Sequence, residues 1–225
     1  GITAMQSVQE STSTGSSFTG TTLAADYIQW NNFGLFETKD ASSSGNYYSN
    51  WGLVSFMGRI NYSFMDRYLI TLTGRSDGSS RLAEGKKWHS YPALALAWKI
   101  KEEPFLKDSD AISTLKLRAG YGQTSNTSIN PYSTLGGLSK TKYSYGDRGV
   151  YGYYVSTLPN TDLTWEFTKQ TNLGLDFGFL NDRINGSVDV YLQKTDGVLL
   201  GVSLPPTQGV PGSFMKNIGA TENKG

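Results

Sequence analysis

The stretch Val54-Ser55-Phe56-Met57-Gly58-Arg59-Ile60-Asn61-Tyr62-Ser63-Phe64-Met65-Asp66-Arg67-Tyr68-Leu69-Ile70-Thr71-Leu72-Thr73-Gly74-Arg75 holds two alternating runs joined by three residues. In the first run Val54, Phe56, Gly58, Ile60, Tyr62 and Phe64 are apolar or small, and Ser55, Met57, Arg59, Asn61 and Ser63 between them are mostly polar. In the second, Tyr68, Ile70, Leu72 and Gly74 alternate with Leu69, Thr71, Thr73 and Arg75. Successive side chains of a strand point to opposite faces, so a period of two gives each run one apolar and one polar face. The short Met65-Asp66-Arg67 connection predicts a long antiparallel hairpin.

The same pattern recurs over 88–100, 114–124, 163–179 and 184–194, and more weakly over 2–10 and 215–225. Over 163–179 the predicted apolar face is Leu163, Trp165, Phe167, Leu173, Leu175, Phe177 and Phe179, interrupted by Lys169 and Thr171. These runs are roughly 9–17 residues long, against about 5–6 for a strand in a globular domain and about 9–11 for a tilted strand crossing a bilayer. Aromatic residues fall near their ends: Phe64 and Tyr68 beside one turn, Trp88 and Trp98 at opposite ends of one run, Trp165 and Phe179 likewise. Aromatic girdles at both interfaces are what a membrane asks of a barrel. A soluble sandwich alternates too, but the connections separate the two. Those at 65–67, 101–113 and 180–183 are short, the middle one reading as a helical turn, while those at 11–50, 77–87, 125–162 and 195–214 are long or irregular. Short periplasmic turns opposite long extracellular loops are the topology of outer-membrane barrels, and a sandwich has no reason to keep that parity. The fold class predicted is all-β, an antiparallel up-and-down transmembrane β-barrel.

Composition agrees. Among 225 residues there are 26 Gly and 14 Tyr, aromatic residues make up 13% and charged ones only 17%. The formal charge of +1 excludes a strongly basic nucleic-acid binder. The absence of Cys removes disulfides, thiolate zinc sites and thiol catalysis. His89 is the single His, which excludes multi-His metal sites. The longest strongly apolar run, Ala93 to Trp98, is far below the ~18–20 residues of a spanning helix. The chain opens on Gly1-Ile2-Thr3-Ala4 with no leader pattern and stops at Asn223-Lys224-Gly225, so it reads as an internal piece of a longer protein.

Several blocks, in order, resemble one family. Gly58-Arg59-Ile60-Asn61-Tyr62-Ser63-Phe64-Met65-Asp66-Arg67-Tyr68-Leu69, Arg75-Ser76-Asp77-Gly78-Ser79-Ser80-Arg81, Trp98-Lys99-Ile100-Lys101-Glu102-Glu103-Pro104-Phe105 and Leu115-Lys116-Leu117-Arg118-Ala119-Gly120-Tyr121-Gly122-Gln123-Thr124 are similar to the SusC/RagA family of TonB-dependent outer-membrane transporters. Leu163-Thr164-Trp165-Glu166, Thr171-Asn172-Leu173-Gly174-Leu175-Asp176 and Asn217-Ile218-Gly219 fit as well, so the likeness spans about 52–225. The resemblance implies a 22-stranded barrel closed by a plug, of which residues 1–225 supply about eight strands and no plug. It also implies import of oligosaccharides or peptides in bacteria of the Bacteroidetes type. The implied partners are a SusD-like surface lipoprotein acting as lid, membrane lipid, and the TonB–ExbB–ExbD complex acting through a part outside residues 1–225, with no nucleic acid.

Chemistry-bearing candidates are few. Asp77-Gly78-Ser79-Ser80-Arg81 lacks the carboxylates of a calcium loop and reads as a loop held by Asx and Ser side-chain bonds. Asp108 and Asp110 read as turn caps, and Glu102-Glu103-Pro104 as the acidic start of a helical turn. Arg59, Arg75, Lys99, Lys116 and Arg118 fall on the polar face, for which pairing with Glu166 and Asp176 is expected, and His89 has no assignable role. No catalytic, cofactor or metal residues are predicted. Candidate contacts for substrate or partner are aromatic residues of the long loops: Trp30, Phe33, Tyr47 and Tyr48 (with Phe36) in 11–50, and Tyr132, Tyr143, Tyr145, Tyr151, Tyr153 and Tyr154 in 125–162. Tyr and Trp join an apolar face to a polar handle, and loops on a rigid scaffold are where binding residues concentrate. Two alternatives stay open at this point: a small structural outer-membrane barrel, which would carry a signal peptide, and a soluble β-rich carbohydrate-binding domain, whose sheets would bury their apolar faces on each other.

Overall fold

The computed structural model describes residues 1–23, 25–29, 31–210 and 212–225. Its strands are β1 (Ile2–Leu23), β2 (Phe36–Phe64), β3 (Tyr68–Ser79), β4 (Trp88–Lys99), β5 (Ile112–Asn126), β6 (Gly137–Tyr145), β7 (Arg148–Thr157), β8 (Glu166–Phe179), β9 (Ile184–Asp196), β10 (Leu199–Ser203), β11 (Ser213–Asn217) and β12 (Ala220–Lys224). Among the described residues one sheet of eight strands runs in the order β1-β2-β3-β4-β5-β8-β9-β12, and β6-β7 and β10-β11 form separate two-stranded sheets. The chain divides into two compact units, residues 1–9 with 53–225 and residues 10–52.

Two expectations about the loops are corrected. The segment 11–50 is mostly strand, because β1 and β2 continue through it, and 125–162 contains the β6–β7 hairpin. Neither shows a regular apolar alternation in sequence, and without it the period-two signal of a strand is missing.

In the large sheet the pairing register stacks like on like. Ile60, Leu72, Leu94 and Tyr121 oppose one another across four strands, as do Tyr62, Ile70, Leu96, Ala119, Leu173 and Val190 in the next row. Phe64, Tyr68, Trp98, Leu117, Leu175 and Val188 form the row nearest the short turns. The other face carries Arg59 with Thr73, Asn61 with Thr71, and Arg118, Asn172 and Asp189. Phe56, Ile60, Leu72, Leu96, Val188 and Val190 are exposed, and no second sheet covers them among the described residues. The buried apolar residues are instead Leu82, Ala83, Ile129, Leu163 and Trp165, all in long connections at one end. A sandwich would bury the sheet rows, so this distribution is that of a wall between lipid and water.

The aromatic rows give the thickness of that wall. Tyr68 stacks on Trp98 near one end and Phe56 on Trp88 near the other. Ten residues separate Trp88 from Trp98, about 34 Å along a strand, or about 26 Å across a bilayer at a tilt of about 40°. That matches the apolar band of an outer-membrane barrel, about 25 Å.

The short turns share one end. At Met65-Asp66 both φ angles are positive (52° and 53°), and Leu180, Asn181 and Asp182 are also left-handed, as tight connections between twisted strands require. The Ser113 hydroxyl donates to Asp182 Oδ1 (2.8 Å) and accepts from the Asp182 N–H (2.9 Å), fixing the second turn. Glu103 is more than the acidic start of a turn. It follows the 3₁₀ turn Ile100–Glu102, is buried, and accepts from Tyr68 Oη (2.6 Å), Trp98 Nε1 (3.0 Å) and Arg67 Nη1 (3.2 Å). These donors, the Tyr68 hydroxyl foremost and then the Trp98 indole, hold its carboxyl below the usual carboxylate range. A lowered folded value means the knot stabilises above the unfolded carboxylate pKa, about 4.3, and is lost as pH falls through the folded value. Glu103→Gln is therefore expected to lower amide protection factors, corrected for intrinsic exchange, in residues 100–109 at neutral pH, and to remove the further loss of protection expected of the unsubstituted protein on acidification. Unchanged exchange in the variant would contradict this.

Candidate functional site

The connections 80–87, 127–165 and 197–217 meet at the end of their unit opposite the short turns, the extracellular end if the short turns are periplasmic. Leu163, fully buried, packs with Leu82, Ile129 and Trp165, and Leu53, Phe167, Leu199 and Met215 lie against them. The placement of Leu163 and Trp165 on a strand face is thus corrected: β8 begins at Glu166, and both side chains turn into this core. Trp165 is consequently not a girdle residue. Its Nε1 donates to the Lys87 carbonyl (3.2 Å).

Polar bonds extend the core. Asn217 Oδ1 accepts from the Thr164 N–H (2.9 Å), and its Nδ2 donates to the carbonyls of Thr164 (2.9 Å) and Gly197 (3.0 Å). Asn160 Nδ2 donates to the Met215 carbonyl (2.7 Å), and Arg81 Nη1 to the Thr127 carbonyl (3.4 Å). Glu166, expected to pair with the basic wall, instead accepts from the Leu199 N–H (3.1 Å). Three connections, 80–87, 127–165 and 197–217, are therefore knitted into one rim. The expectation of a loop held by side-chain bonds at 77–81 is met in part: Ser79 Oγ accepts from the Arg81 N–H (3.3 Å), but Asp77 to Ser79 belong to β3.

On the polar wall below the rim, buried Asp77 accepts from Arg75 Nε (2.9 Å) and from the Tyr91 hydroxyl. His89 packs on Phe167 (4.4 Å between centroids) and Tyr91, and shares a hydrogen bond with Gln123 (3.1 Å). Arg118 pairs with Asp176 (2.8 Å) and Asp189 (3.0 Å). The sequence brought out the basic residues of this wall, but neither the role of His89 nor that of Asp77, since Gln123 and Phe167 beside His89 and Tyr91 beside Asp77 come from other strands. Among the described residues no three His or carboxylate groups converge as metal ligands would.

The aromatic candidates fall in different places. Trp30 lies outside the described residues. In the unit 10–52, Phe33 packs between Phe18 and Phe36 (5.2 and 5.6 Å), so it is half-buried; Tyr47, whose ring lies over Gly15, and Tyr48 are exposed. Tyr132 lines an open cleft of about 400 Å³ with Leu135, Phe214 and Met215. Tyr143, Tyr145, Tyr151, Tyr153 and Tyr154 stand exposed on the β6–β7 hairpin. The pairing Lys140↔Tyr153 and Lys142↔Tyr151 puts Tyr151 and Tyr153 on one hairpin face, and Ser139↔Tyr154, Tyr143↔Val150 and Tyr145↔Arg148 put Tyr143, Tyr145 and Tyr154 on the other.

Comparison with known proteins agrees with this architecture. Residues 3–225 match the family described as TonB dependent receptor-like, beta-barrel. The chain is 45% identical over 181 residues to the TonB-dependent receptor SusC of Bacteroides thetaiotaomicron, covering 77% of this chain and 18% of that protein. It is 42% identical over 179 residues to the TonB-dependent receptor P3 of Formosa agariphila, covering 80% and 18%. Among solved structures, the RagAB peptide importer in the closed-closed state superposes with a TM-score of 0.80 at 26% identity, over 99% of this chain and 24% of that one. The chain thus spans about a fifth of the length of the curated relatives it matches. A sheet whose rows alternate between lipid and water, with loops knitted at one end, is barrel wall, and the chain belongs to the TonB-dependent receptor-like β-barrel family, as an outer-membrane protein of SusC/RagA type.

Proposed function

We propose that this chain forms part of the barrel of an active importer that takes up oligosaccharides or peptides together with a SusD-like surface lipoprotein. In that reading the plug and the segment that engages TonB–ExbB–ExbD belong to other parts of the transporter, and lipid covers the exposed apolar rows. The observation that carries it is the pairing of a two-faced wall with a knitted rim bearing exposed tyrosines. Likeness to RagAB, a peptide importer by its description, supports the peptide class, while the oligosaccharide class and the lipoprotein partner rest on the resemblance to the SusC/RagA family, to which the 45% identity with SusC adds weight. Trp30, Phe33, Tyr47, Tyr48, Tyr132, Tyr143, Tyr145, Tyr151, Tyr153 and Tyr154 are the proposed contacts with substrate or lipoprotein.

The test uses the full-length transporter in cells. Uptake is expected to stop when the inner-membrane proton gradient is collapsed. Tyr→Ala variants at the exposed positions are expected to lose uptake with the lipoprotein still co-purifying where the ring touches substrate, and to lose co-purification where it touches the partner. Uptake indifferent to the gradient would overturn the transport reading. Variants that change neither property would overturn the assignment of the aromatics.

A further inference from the structure

The hairpin face that carries Tyr151 and Tyr153 also carries two lysines. Its strands place Leu138 opposite Val155, Lys140 opposite Tyr153 and Lys142 opposite Tyr151, all on one side. Lys140 Nζ lies 4.5 Å from the centroid of the Tyr151 ring and Lys142 Nζ 5.7 Å from the same centroid. Two ammonium groups are thus drawn to one ring, which attracts each through its negative face. They sit two residues apart on one strand, about 7 Å, close enough for like charges to oppose each other. Among the described residues no carboxylate forms an ion pair with either. The acid of the hairpin, Asp147, lies in the turn beyond the strands. Tyr153 is 72% exposed and Leu138 70%, so the stripe beside the lysines is open and apolar.

We propose that this face binds an anionic oligosaccharide. The sugar rings lie on Tyr153 and on the free edge of Tyr151, and a carboxylate or sulfate group meets Lys140 and Lys142. The inference rests on the reading that the hairpin aromatics contact substrate, and it names the substrate class. Two ammonium groups attracted to one neutral ring, with no carboxylate paired to either among the described residues, call for a negative ligand. The two tyrosine rings on one strand call for a ligand with flat apolar faces at a regular spacing, which a chain of pyranose rings provides. An acidic peptide would instead use its backbone along a hairpin edge and leave the rings unused.

The experiment uses the full-length transporter, purified, and matched pairs of glycans: uronate oligomers against their carboxyl-reduced forms, and sulfated oligomers against their desulfated forms. At least one charged member is expected to bind more tightly than its neutral counterpart, with an affinity that falls as salt rises. Lys140→Gln with Lys142→Gln is expected to weaken that member about tenfold, two exposed charge contacts at about 0.7 kcal/mol each, and to leave the neutral member unchanged. Tyr153→Ala is expected to weaken both. The lysines are exposed and Gln is a shorter neutral polar replacement, so loss of fold is checked by unchanged binding of the neutral sugar. If no pair shows a preference that the lysine variant abolishes, the anionic inference is overturned, while a loss in Tyr153→Ala would leave the aromatic reading standing. If Tyr153→Ala also binds as the unsubstituted protein does, both fail. Oligoglutamate held more tightly than every charged glycan would replace the sugar by an acidic peptide.

Discussion

Leu72→Arg in the intact barrel is expected to lower folding stability by about 2–4 kcal/mol, the cost of an arginine on the lipid face near the bilayer midplane. Leu72 is flanked by Ile60 and Leu94 in the pairing register, four residues from the Tyr68–Trp98 end of β3 and six from Gly78, which pairs with Trp88. Neither end is near enough for the guanidinium to reach headgroups without distorting the strand. Thr71→Arg, one residue away, points to the face of Asn61 and Ala95. It gives up the hydrogen bond from Thr71 Oγ1 to Asn61 Oδ1 (2.9 Å), an exposed pair worth about 1 kcal/mol or less, and otherwise places a cation in water. Heat-modifiable migration after folding into lipid or detergent reads both variants side by side. Equal losses would show that the two faces are not chemically distinct, and the reverse order would show the register to be off by one.

The contrast between those neighbours is also why the sheet could be read from sequence. A strand in a membrane wall stands between two solvents, so nearly every position of β3, β4, β5 and β9 is constrained to one side or the other, and the period of two survives over ten or more residues. Where that condition ends, the reading fails for definite reasons. Leu163, Trp165 and Phe167 continue the alternation of β8, yet the first two belong to the buried loop core. Three apolar residues at alternate positions are equally consistent with a strand face and with a segment turning into a small core, and only residues distant in sequence, Leu82 and Lys87 of 80–87 and Ile129, decide between them. Glu103 was legible as a turn acid but not as the acceptor for Tyr68, Trp98 and Arg67, because Tyr68 and Arg67 reach it from the neighbouring turn about 35 residues earlier. The rim tyrosines were legible as candidates by residue type. Which of them share a face was not, since hairpin register in a stretch with no buried side leaves no trace in hydrophobicity.

Because the rim has its own core, its stability can be separated from that of the wall, and Trp165→Ala is the substitution that does so. Trp165 is 3% exposed, packs with Leu82, Ile129 and Leu163, and donates to the Lys87 carbonyl. Its removal leaves a void where the surroundings are tied by Asn217 and Asn160 and cannot collapse freely, and a core Trp→Ala change costs about 3–5 kcal/mol. That cost is expected to fall on local opening, since the lipid-facing rows do not use this core and cooperative units open separately. Amides such as Ser79, whose N–H donates to the Lys87 carbonyl (3.0 Å), and Ala83, whose N–H donates to the Leu163 carbonyl (3.5 Å), should lose exchange protection. Protease cleavage should appear within 80–87 and 127–163, while heat-modifiable migration of the barrel stays as it was. Trp165→Phe keeps most of the packing but leaves the Lys87 carbonyl without its indole donor, and should show a smaller loss, about 1 kcal/mol. If the Ala variant exchanges like the unsubstituted protein, the four residues do not hold the loops. If the barrel itself loses heat-modifiability, rim and wall fold as one unit, and the rim loops would then have no rigidity independent of the membrane sheet.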